Sequence, residues 1–296
     1  MEGYSATILS GIILGVMARI RMLRSDYRQF PGYPHGHVTH LGLGLIAAAL
    51  GAVAIPALVE KEYTAVTFLA LAAQQFRDIR NMERQSLAEL EELALVPRGK
   101  DYIEGIARVF ESRNYLVMGT ALISSGVTFA TSWSYGVLAG IGSIIISSYL
   151  MKGQNIGDIA EVVPSKPYFK GSLLLVDNVV IMNVGLQESR DKIIKEALGV
   201  IIKPKDDNAR AILNSVGQRQ AILQIAATLL GSKMEVGEPD WTPLARKDID
   251  TGKIALYILP IEPDINPLIK AVKMTPVLES SKVLPLMSAP GRRAAD

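Results

Sequence analysis

The sequence predicts a membrane α-helical bundle of about five transmembrane helices, with the N-terminus outside, followed by a small cytoplasmic α/β domain. The first half of the chain contains several apolar stretches, separated by connectors rich in Arg and Lys. After residue 152 the pattern changes, and short apolar runs alternate with charged helical segments. We therefore expect a transmembrane region at 1–152, a soluble domain at 153–287 and a disordered tail at 288–296.

The first predicted span, residues 5–18, is apolar and has no basic residue before it, which favours a retained helix over a cleaved signal peptide. Its glycines Gly11 and Gly15 form a GxxxG pair that allows close helix approach in lipid. The span is followed by a basic flank that the positive-inside rule places in the cytoplasm, formed by Arg19, Arg21, Arg24 and Arg28.

Four further apolar stretches complete the predicted bundle, at residues 41–58, 63–76, 115–130 and 135–151. The stretch 63–76 would cover only about 21 Å of a hydrocarbon core of roughly 30 Å, so it needs help from its flanks. The last two stretches form a hairpin whose turn places Trp133 at a membrane interface. Five such spans put every basic connector on one side of the membrane.

The polar segment 77–114 is predicted to be an amphipathic cytoplasmic hairpin against the membrane. Its first part, 77–84, interleaves basic and acidic residues. Binding of anionic headgroups, worth about 1 kcal/mol per basic residue, would explain the arginines but not the acids. We therefore favour an ion-pair network that docks the segment on itself or on a partner.

The end of that segment, residues 100–115, reads KDYIEGIARVFESRNY. On a helix, it places one apolar row on a single side, formed by Ile103, Ile106, Val109 and Phe110. The other side carries Glu104, Arg108 and Glu111, with Glu104 and Arg108 spaced as an i,i+4 ion pair. We expect the apolar row to be buried against lipid or the bundle, and the three charged residues to bind a partner.

The hexapeptide YIEGIA at 102–107 resembles the motif that gives its name to the YIEGIA family of integral membrane proteins from endospore-forming bacteria. The resemblance includes residues 74–77, 96–99 and 110–115, and extends less specifically into the soluble half. It implies a role in sporulation, in the membranes of the developing spore or mother cell, and a complex with a small soluble companion protein. It implies no catalytic residues.

The predicted soluble domain alternates strands and helices, which is typical of an α/β fold. Its β-rich runs are 173–184, 200–202 and 253–259, and its helical runs are 187–198 and 208–230. None of these runs reaches bilayer length, so we expect the domain in the cytoplasm.

Charge and cysteine content narrow the function classes. With 31 basic and 29 acidic residues, the net charge of +2 gives no global bias toward nucleic acid. The sequence contains no cysteine, which excludes disulfides, thiolate metal sites and a cysteine nucleophile. The expected contacts are membrane lipids and a soluble partner, and the sequence is compatible with oligomerisation.

All three histidines fall in one short stretch, at His35, His37 and His40. Imidazoles at this spacing can converge on Zn²⁺ or Cu²⁺, so the stretch is a candidate site for a divalent metal, and the sequence predicts no other cofactor. No carboxylate or cysteine lies in the stretch to complete the ligand set. The alternative is a group of polar interface histidines flanking a helix start, or one that binds lipid headgroups.

Three carboxylates near the predicted membrane surface suggest a second chemistry, Asp78, Asp101 and Asp158. Two carboxylates that share a proton can activate water for peptide hydrolysis, because like charges held close split their pKa values. Intramembrane aspartyl peptidases use a Gly-x-Gly-Asp motif, of which only Gly157-Asp158 is present, with Asn155 in place of the first glycine. The alternative is that these acids solvate a surface helix and pair with nearby arginines.

Two functions follow as expectations. The first is a sporulation-associated integral membrane scaffold or regulator that recruits a small soluble partner at the cytoplasmic face. The second is a membrane-embedded aspartyl-type peptidase using Asp158 with Asp78 or Asp101. A transporter is disfavoured because the predicted spans are nearly free of the charges that a transport pathway needs.

Overall fold

A computed structural model of the protein describes residues 4–26, 34–91, 94, 96–151, 153–235, 238–239 and 241–282. The chain divides into two compact units. The helical unit comprises Met1–Gln85 and Ile106–Lys152, and the α+β unit comprises Ser86–Gly105 and Gly153–Asp296. Residues 86–105, which the sequence analysis assigned to the transmembrane region, therefore belong to the second unit.

Five long helices are present between residues 5 and 150: α1 (Ser5–Asp26), α2 (Pro34–Val59), α3 (Tyr63–Glu91), α4 (Lys100–Ala130) and α5 (Trp133–Leu150). α1, α2 and α5 lie within the helical unit. α3 ends, and α4 begins, in the segment assigned to the α+β unit.

The predicted fold class, a five-span membrane bundle with the N-terminus outside and an α/β domain after it, is wrong. Among the described residues, only Ser5–Asp26 and Gly36–Val59 form helices long and apolar enough to cross a membrane. The predicted spans 63–76 and 115–130 are each only one half of a longer helix, and the other halves of α3 and α4 are strongly charged. An apolar run of 14 to 16 residues therefore did not mark a separate spanning helix.

Small residues bring α1, α2 and α4 close together in the helical unit. A methyl group added at Gly11 would lie 2.7 Å from the Cβ of Ala52, and one at Gly15 would lie 2.6 Å from the Cβ of Ala48. Contacts this short leave room for a hydrogen atom only, so the predicted GxxxG contact is confirmed. The surrounding core contains Ala18, Met22, Ala47, Phe76, Val117 and Ala121.

The second unit is an α+β fold with antiparallel sheets. Its helices are α6 (Ile156–Ile159), α7 (Gln187–Glu196), α8 (Asp207–Asn214), α9 (Val216–Leu230) and α10 (Ile265–Met274), followed by a 3₁₀ turn at Glu279–Ser281. Its strands are β1 (Ala160–Pro164), β2 (Pro167–Lys170), β3 (Leu173–Val176), β4 (Val179–Asn183), β5 (Leu198–Pro204), β6 (Met234–Glu235), β7 (Glu238–Pro239), β8 (Leu244–Lys247) and β9 (Ile254–Ile258).

These strands form a four-stranded sheet in the order β1-β5-β9-β8, a three-stranded sheet β2-β3-β4 and a pair β6-β7. Every pairing is antiparallel, so the alternation of strands and helices did not produce the parallel sheet of an α/β domain. β2, β3 and β4 follow one another through turns of two residues, which can join only antiparallel neighbours.

The four-stranded sheet separates two hydrophobic cores. Val200, Leu256 and Ile258 pack on one face, in a core that also contains Ile222 of α9 and Leu268 of α10. On the opposite face, Ile201 and Tyr257 belong to a second core with residues of β3, β4 and α7. All five residues of β9 are buried, because both faces of this central strand are covered. The predicted tail, 288–296, lies outside the described residues.

Candidate functional site

The three carboxylates predicted for peptide hydrolysis are all exposed: Asp78 on α3, Asp101 in the first turn of α4 and Asp158 in α6. The Asp158 carboxylate accepts a hydrogen bond from the backbone N–H of Asn155 at 2.8 Å, as one half of a capping box. This local role accounts for Asp158 without catalysis. The peptidase hypothesis stays a prediction.

The histidine stretch lies in the first turns of α2. His37 is exposed and His40 is buried, while the side chain of His35 lies outside the description. Within the part of the chain that the structure describes, no three His, Asp or Glu side chains are grouped closely enough to hold a metal ion. His40 instead packs on Phe110, with 4.5 Å between ring centroids.

The predicted apolar row of α4 is buried at all four positions, Ile103, Ile106, Val109 and Phe110. On the charged side, Arg108 is exposed, Glu104 is half-buried, and Glu111 forms an ion pair with Arg80 of α3 at 3.0 Å. Arg80 and Glu111 both lie in segment 77–114, so this pair is one contact of the predicted kind, and the wider ion-pair network stays a prediction. Binding of a partner by Glu104, Arg108 and Glu111 stays a prediction.

A buried carboxylate clamp, missed by the sequence analysis, occupies the helical unit. The carboxylate of Asp26, in the last turn of α1, accepts one hydrogen bond from Arg19 Nη1 at 3.0 Å and another from Arg113 Nε at 2.9 Å. All three side chains are almost fully buried. The clamp thus holds α4 against α1 through one negative charge between two positive charges, an arrangement that is stable only while all partners are present.

The clamp continues into α2 and α3 through His40. Arg19 Nε donates a hydrogen bond to the backbone oxygen of His40 at 3.2 Å, and its guanidinium lies 5.3 Å from the ring centroid of Phe110. His40 Nε2 lies 3.6 Å from Oε1 of Glu83, which is also buried. Four helices of this unit therefore converge on one charged cluster, built from residues that the sequence analysis had assigned to cytoplasmic flanks and a metal site.

The first half of the family hexapeptide packs on α9 within the α+β unit. The backbone N–H of Tyr102 donates to Oε1 of Gln220 at 3.0 Å. A methyl group at Gly217 would lie 2.9 Å from the backbone oxygen of Asp101, and one at Gly105 would lie 2.5 Å from Oγ of Ser280. The start of α4 therefore packs closely on α9 at Gly217 and on the 3₁₀ turn at Ser280.

The hydroxyl end of Tyr102 lies beside the ion pair of Arg98 and Glu91. Burial raises the pKa of Tyr102 to about 12. The charge of Arg98 opposes this shift, and the charge of Glu91 adds to it by a smaller amount. Gly99, which joins Arg98 to α4, has a φ of 86°, a left-handed conformation that favours glycine. It also lies so close to the side chain of Gln220 that little room is left for a Cβ atom. Residues 96–99 and 102–105, which carry the family resemblance, thus pack together at the start of α4 within the α+β unit.

An open cleft of about 610 Å³ is present in the α+β unit. Its walls are the connection 164–167 between β1 and β2, the segment 194–199 from α7 into β5, and Pro263 with Ile265 at the start of α10. The lining combines apolar side chains with Lys166 and Lys195. No pattern in the sequence predicted this cleft, because its walls come from three segments that are distant in the chain.

These features define a two-unit protein in which a helical unit with two apolar helices of membrane-crossing length accompanies an antiparallel α+β unit. The chain belongs to the YIEGIA protein family, which matches residues 7–288. It is 43% identical over 286 residues to Uncharacterized protein YphB of Bacillus subtilis (strain 168), a match that covers 96% of each chain. No solved structure matches the chain significantly.

Proposed function

We propose that this protein is a sporulation-associated membrane scaffold or regulator. In this proposal α1 and α2 of the helical unit anchor it in a spore or mother-cell membrane, and the α+β unit recruits a small soluble partner at the cytoplasmic face. Family membership supports the sporulation setting, because the YIEGIA resemblance implies proteins of endospore-forming bacteria.

The observation that carries the proposal is the polarity of α1. Its outward side is an apolar stripe, and each member of the stripe is at least half exposed: Leu9, Ile13, Met17 and Ile20. Its buried side includes polar and small residues such as Ser10, Gly11 and Arg19. A helix in water would place the apolar side inward, whereas a helix in lipid can expose it. α2 likewise exposes large apolar side chains, Leu45 and Ile46, and buries the small residues Ala48 and Ala52.

The basic residues after α2 support the cytoplasmic side for the α+β unit. Arg77, Arg80 and Arg84 belong to a basic segment that favours the cytoplasm, and two spans bring the chain back to the side where it started. The residues before α1 would then also be cytoplasmic, unlike the N-terminus-outside prediction. Arg19 does not oppose this orientation, because it is buried and paired with Asp26. Arg21, Arg24 and Arg28, which lie between the two apolar stretches, favour the opposite orientation by the same rule, so the labelling experiment decides between the two.

Membrane attachment and orientation can be measured on the same preparations. We expect the protein to remain in the membrane pellet after carbonate extraction. Because the chain contains no cysteine, a single Ile249→Cys or Leu186→Cys variant offers one exposed thiol on the α+β unit. A membrane-impermeant maleimide should label either thiol in lysed but not in intact protoplasts. Release by carbonate would contradict the anchor, and labelling of intact protoplasts would contradict the cytoplasmic side.

The scaffold role is tested in Bacillus subtilis lacking YphB, with this chain as the complementing protein. We expect fewer heat-resistant spores in the deletion strain and recovery on complementation. Membrane proteomes of the two strains should differ by proteins that are missing in the deletion strain, because a scaffold retains its partners. Uncut, longer forms of membrane proteins in the deletion strain would instead support a peptidase, and unchanged spore counts would contradict the sporulation role.

A further inference from the structure

We propose that the cleft of the α+β unit binds a short acidic segment of the soluble partner, with at least one apolar side chain of that segment seated in the cleft. This inference rests on the proposed function, because it names the surface and the chemistry by which the partner would be recruited. It is carried by the apolar floor of the cleft, the charge of its rim and the rigidity of its walls.

The apolar floor is shown most clearly by two consecutive isoleucines of α7. Ile193 is fully buried in the core, whereas Ile194 lines the cleft and is 53% exposed. The core therefore uses only one of the two side chains. Together with Leu198 and Ile265, Ile194 offers a concave apolar surface whose volume, about 610 Å³, lies within the range of sites that enclose a side chain or small ligand.

The rim of the cleft carries an excess of positive charge. Lys166 and Lys195 line it, and the one carboxylate of the lining, Glu196, already forms an ion pair with Lys233. The hydrogen bond from Lys233 and then its charge, with smaller effects of the Lys195 and Lys192 charges, lower the pKa of Glu196 against the opposing effect of burial. Glu196 is thus ionised and neutralised within the unit, and the remaining lysine charge complements an acidic ligand.

The walls are held in place before any ligand arrives. Pro164, Pro167 and Pro263 fix the backbone on two sides of the cleft. Ser165 N–H donates to the carbonyl oxygen of Gly199 at 3.0 Å, which ties the two main walls together. A preformed site loses little conformational entropy on binding, which suits recognition of a short and flexible segment.

Charge also favours a separate partner over the chain's own C-terminal residues. Residues 283–296 include Arg292 and Arg293, which carry the same sign as the rim. The acidic side chain of Asp264, adjacent to the cleft, is already used as the cap of α10, where it accepts a hydrogen bond from the backbone N–H of Asn266 at 2.9 Å. An acidic segment from another protein therefore meets the cleft's charge best.

The test uses the full chain in nanodiscs of phosphatidylcholine and the fluorescein-labelled peptide EELPIEE, with fluorescence polarisation as the readout. We expect saturable binding that weakens with added salt. The peptide QQLPIQQ, which keeps the apolar residues but lacks the charges, and EESPSEE, which keeps the charges but lacks the large apolar side chains, should each bind about tenfold more weakly.

Variants locate the binding. Lys166→Glu combined with Lys195→Glu should weaken binding of EELPIEE at least about tenfold, and Ile194→Ser should weaken it several-fold without changing the salt dependence. The matched control, Lys170→Glu with Lys270→Glu, makes the same charge change at exposed positions of this unit that do not line the cleft. It should leave affinity nearly unchanged.

Three outcomes would overturn the inference: absence of peptide binding, equal affinity for EELPIEE and QQLPIQQ, or equal losses in the cleft and control variants. Failure here is separable from failure of the proposed function. A Lys166→Glu/Lys195→Glu variant that still restores heat-resistant spores would reject the cleft while leaving the scaffold role intact.

Discussion

At the scale of single residues, the Asp26 carboxylate joins two helices of the helical unit through buried ion pairs. It contacts two guanidinium groups that are themselves buried, so its charge offsets part of the desolvation cost of both arginines. The sequence contained a signal of this role, since Asp26 is the one acid among Arg19, Arg21, Arg24 and Arg28. The positive-inside rule counts basic residues near a span without regard to burial, so it assigned the buried Arg19 to a solvent-exposed flank.

Asp26→Asn preserves the size of the side chain but removes the negative charge that both guanidinium groups contact. We expect the helical unit to lose about 3–5 kcal/mol of stability, as when one partner of a buried ion pair is removed. Trp133 is the one tryptophan of this unit, so a Trp241→Phe background lets fluorescence report its unfolding alone. Asp78→Asn is the control, because that carboxylate is exposed on α3, and it should change stability by no more than about 0.5 kcal/mol.

Tyr102 gives the α+β unit a dependence on alkaline pH. Its folded pKa of about 12 exceeds the usual value of 10.0, so the folded state retains the hydroxyl proton where the unfolded chain has lost it. The proton is retained in both states below pH 10, and stability falls as pH rises from about 10 to 12, by roughly 2–3 kcal/mol in total.

Unfolding followed by Trp241 fluorescence in a Trp133→Phe background should show the decrease in unfolding free energy between about pH 10 and 12. Tyr102→Phe should remove the part of this decrease that comes from the tyrosine hydroxyl. Lysine titration contributes equally to both proteins, so the difference between their pH profiles isolates Tyr102. Parallel profiles from pH 9 to 12 would mean that the hydroxyl is not desolvated in the folded state.

The secondary-structure elements were predicted best where a local pattern decides them. β3 and β4 fall in the run 173–184, β9 in 253–259, and α7 in 187–198. The partners of each strand were not predictable in this way, because a continuous apolar run such as β9 shows that a strand is buried on both faces but not which strands lie beside it. β1 and β2 were missed, since both are short and separated by only two residues.

Close helix packing gives a prediction at this scale. A methyl group added at Gly51 of α2 would collide with the backbone oxygen of Met118 in α4. A methyl group added at Gly119 would have no neighbouring atom within 4 Å. Gly51→Ala should destabilise the helical unit by about 1–3 kcal/mol, because backbone cannot rotate away. Gly119→Ala should be neutral or stabilise it by up to about 1 kcal/mol through helix propensity. Equal effects of the two variants on Trp133-detected unfolding would contradict the tight contact.

For the whole molecule, the least predictable feature was which segments fold together. Residues 86–105 join the α+β unit through contacts such as Tyr102 with Gln220, which are 118 residues apart. Hydropathy changes near residue 152 and suggests one boundary there, but it carries no information about contacts over such distances. The same reason explains why the cleft, whose walls span residues 164 to 265, had no counterpart in the sequence analysis.

Membrane attachment of the whole chain should depend on the outward stripe of α1. Ile13 and Met17 are both at least half exposed there, and an acidic residue near the centre of a spanning helix costs about 2.5–3.5 kcal/mol. Ile13→Asp with Met17→Asp should therefore lower the carbonate-resistant fraction of the protein sharply. Leu229→Asp with Ile249→Asp is the control, because both side chains are exposed on the α+β unit and should not enter lipid. If the α1 variant stays in the pellet as fully as the control, α1 is not an anchor.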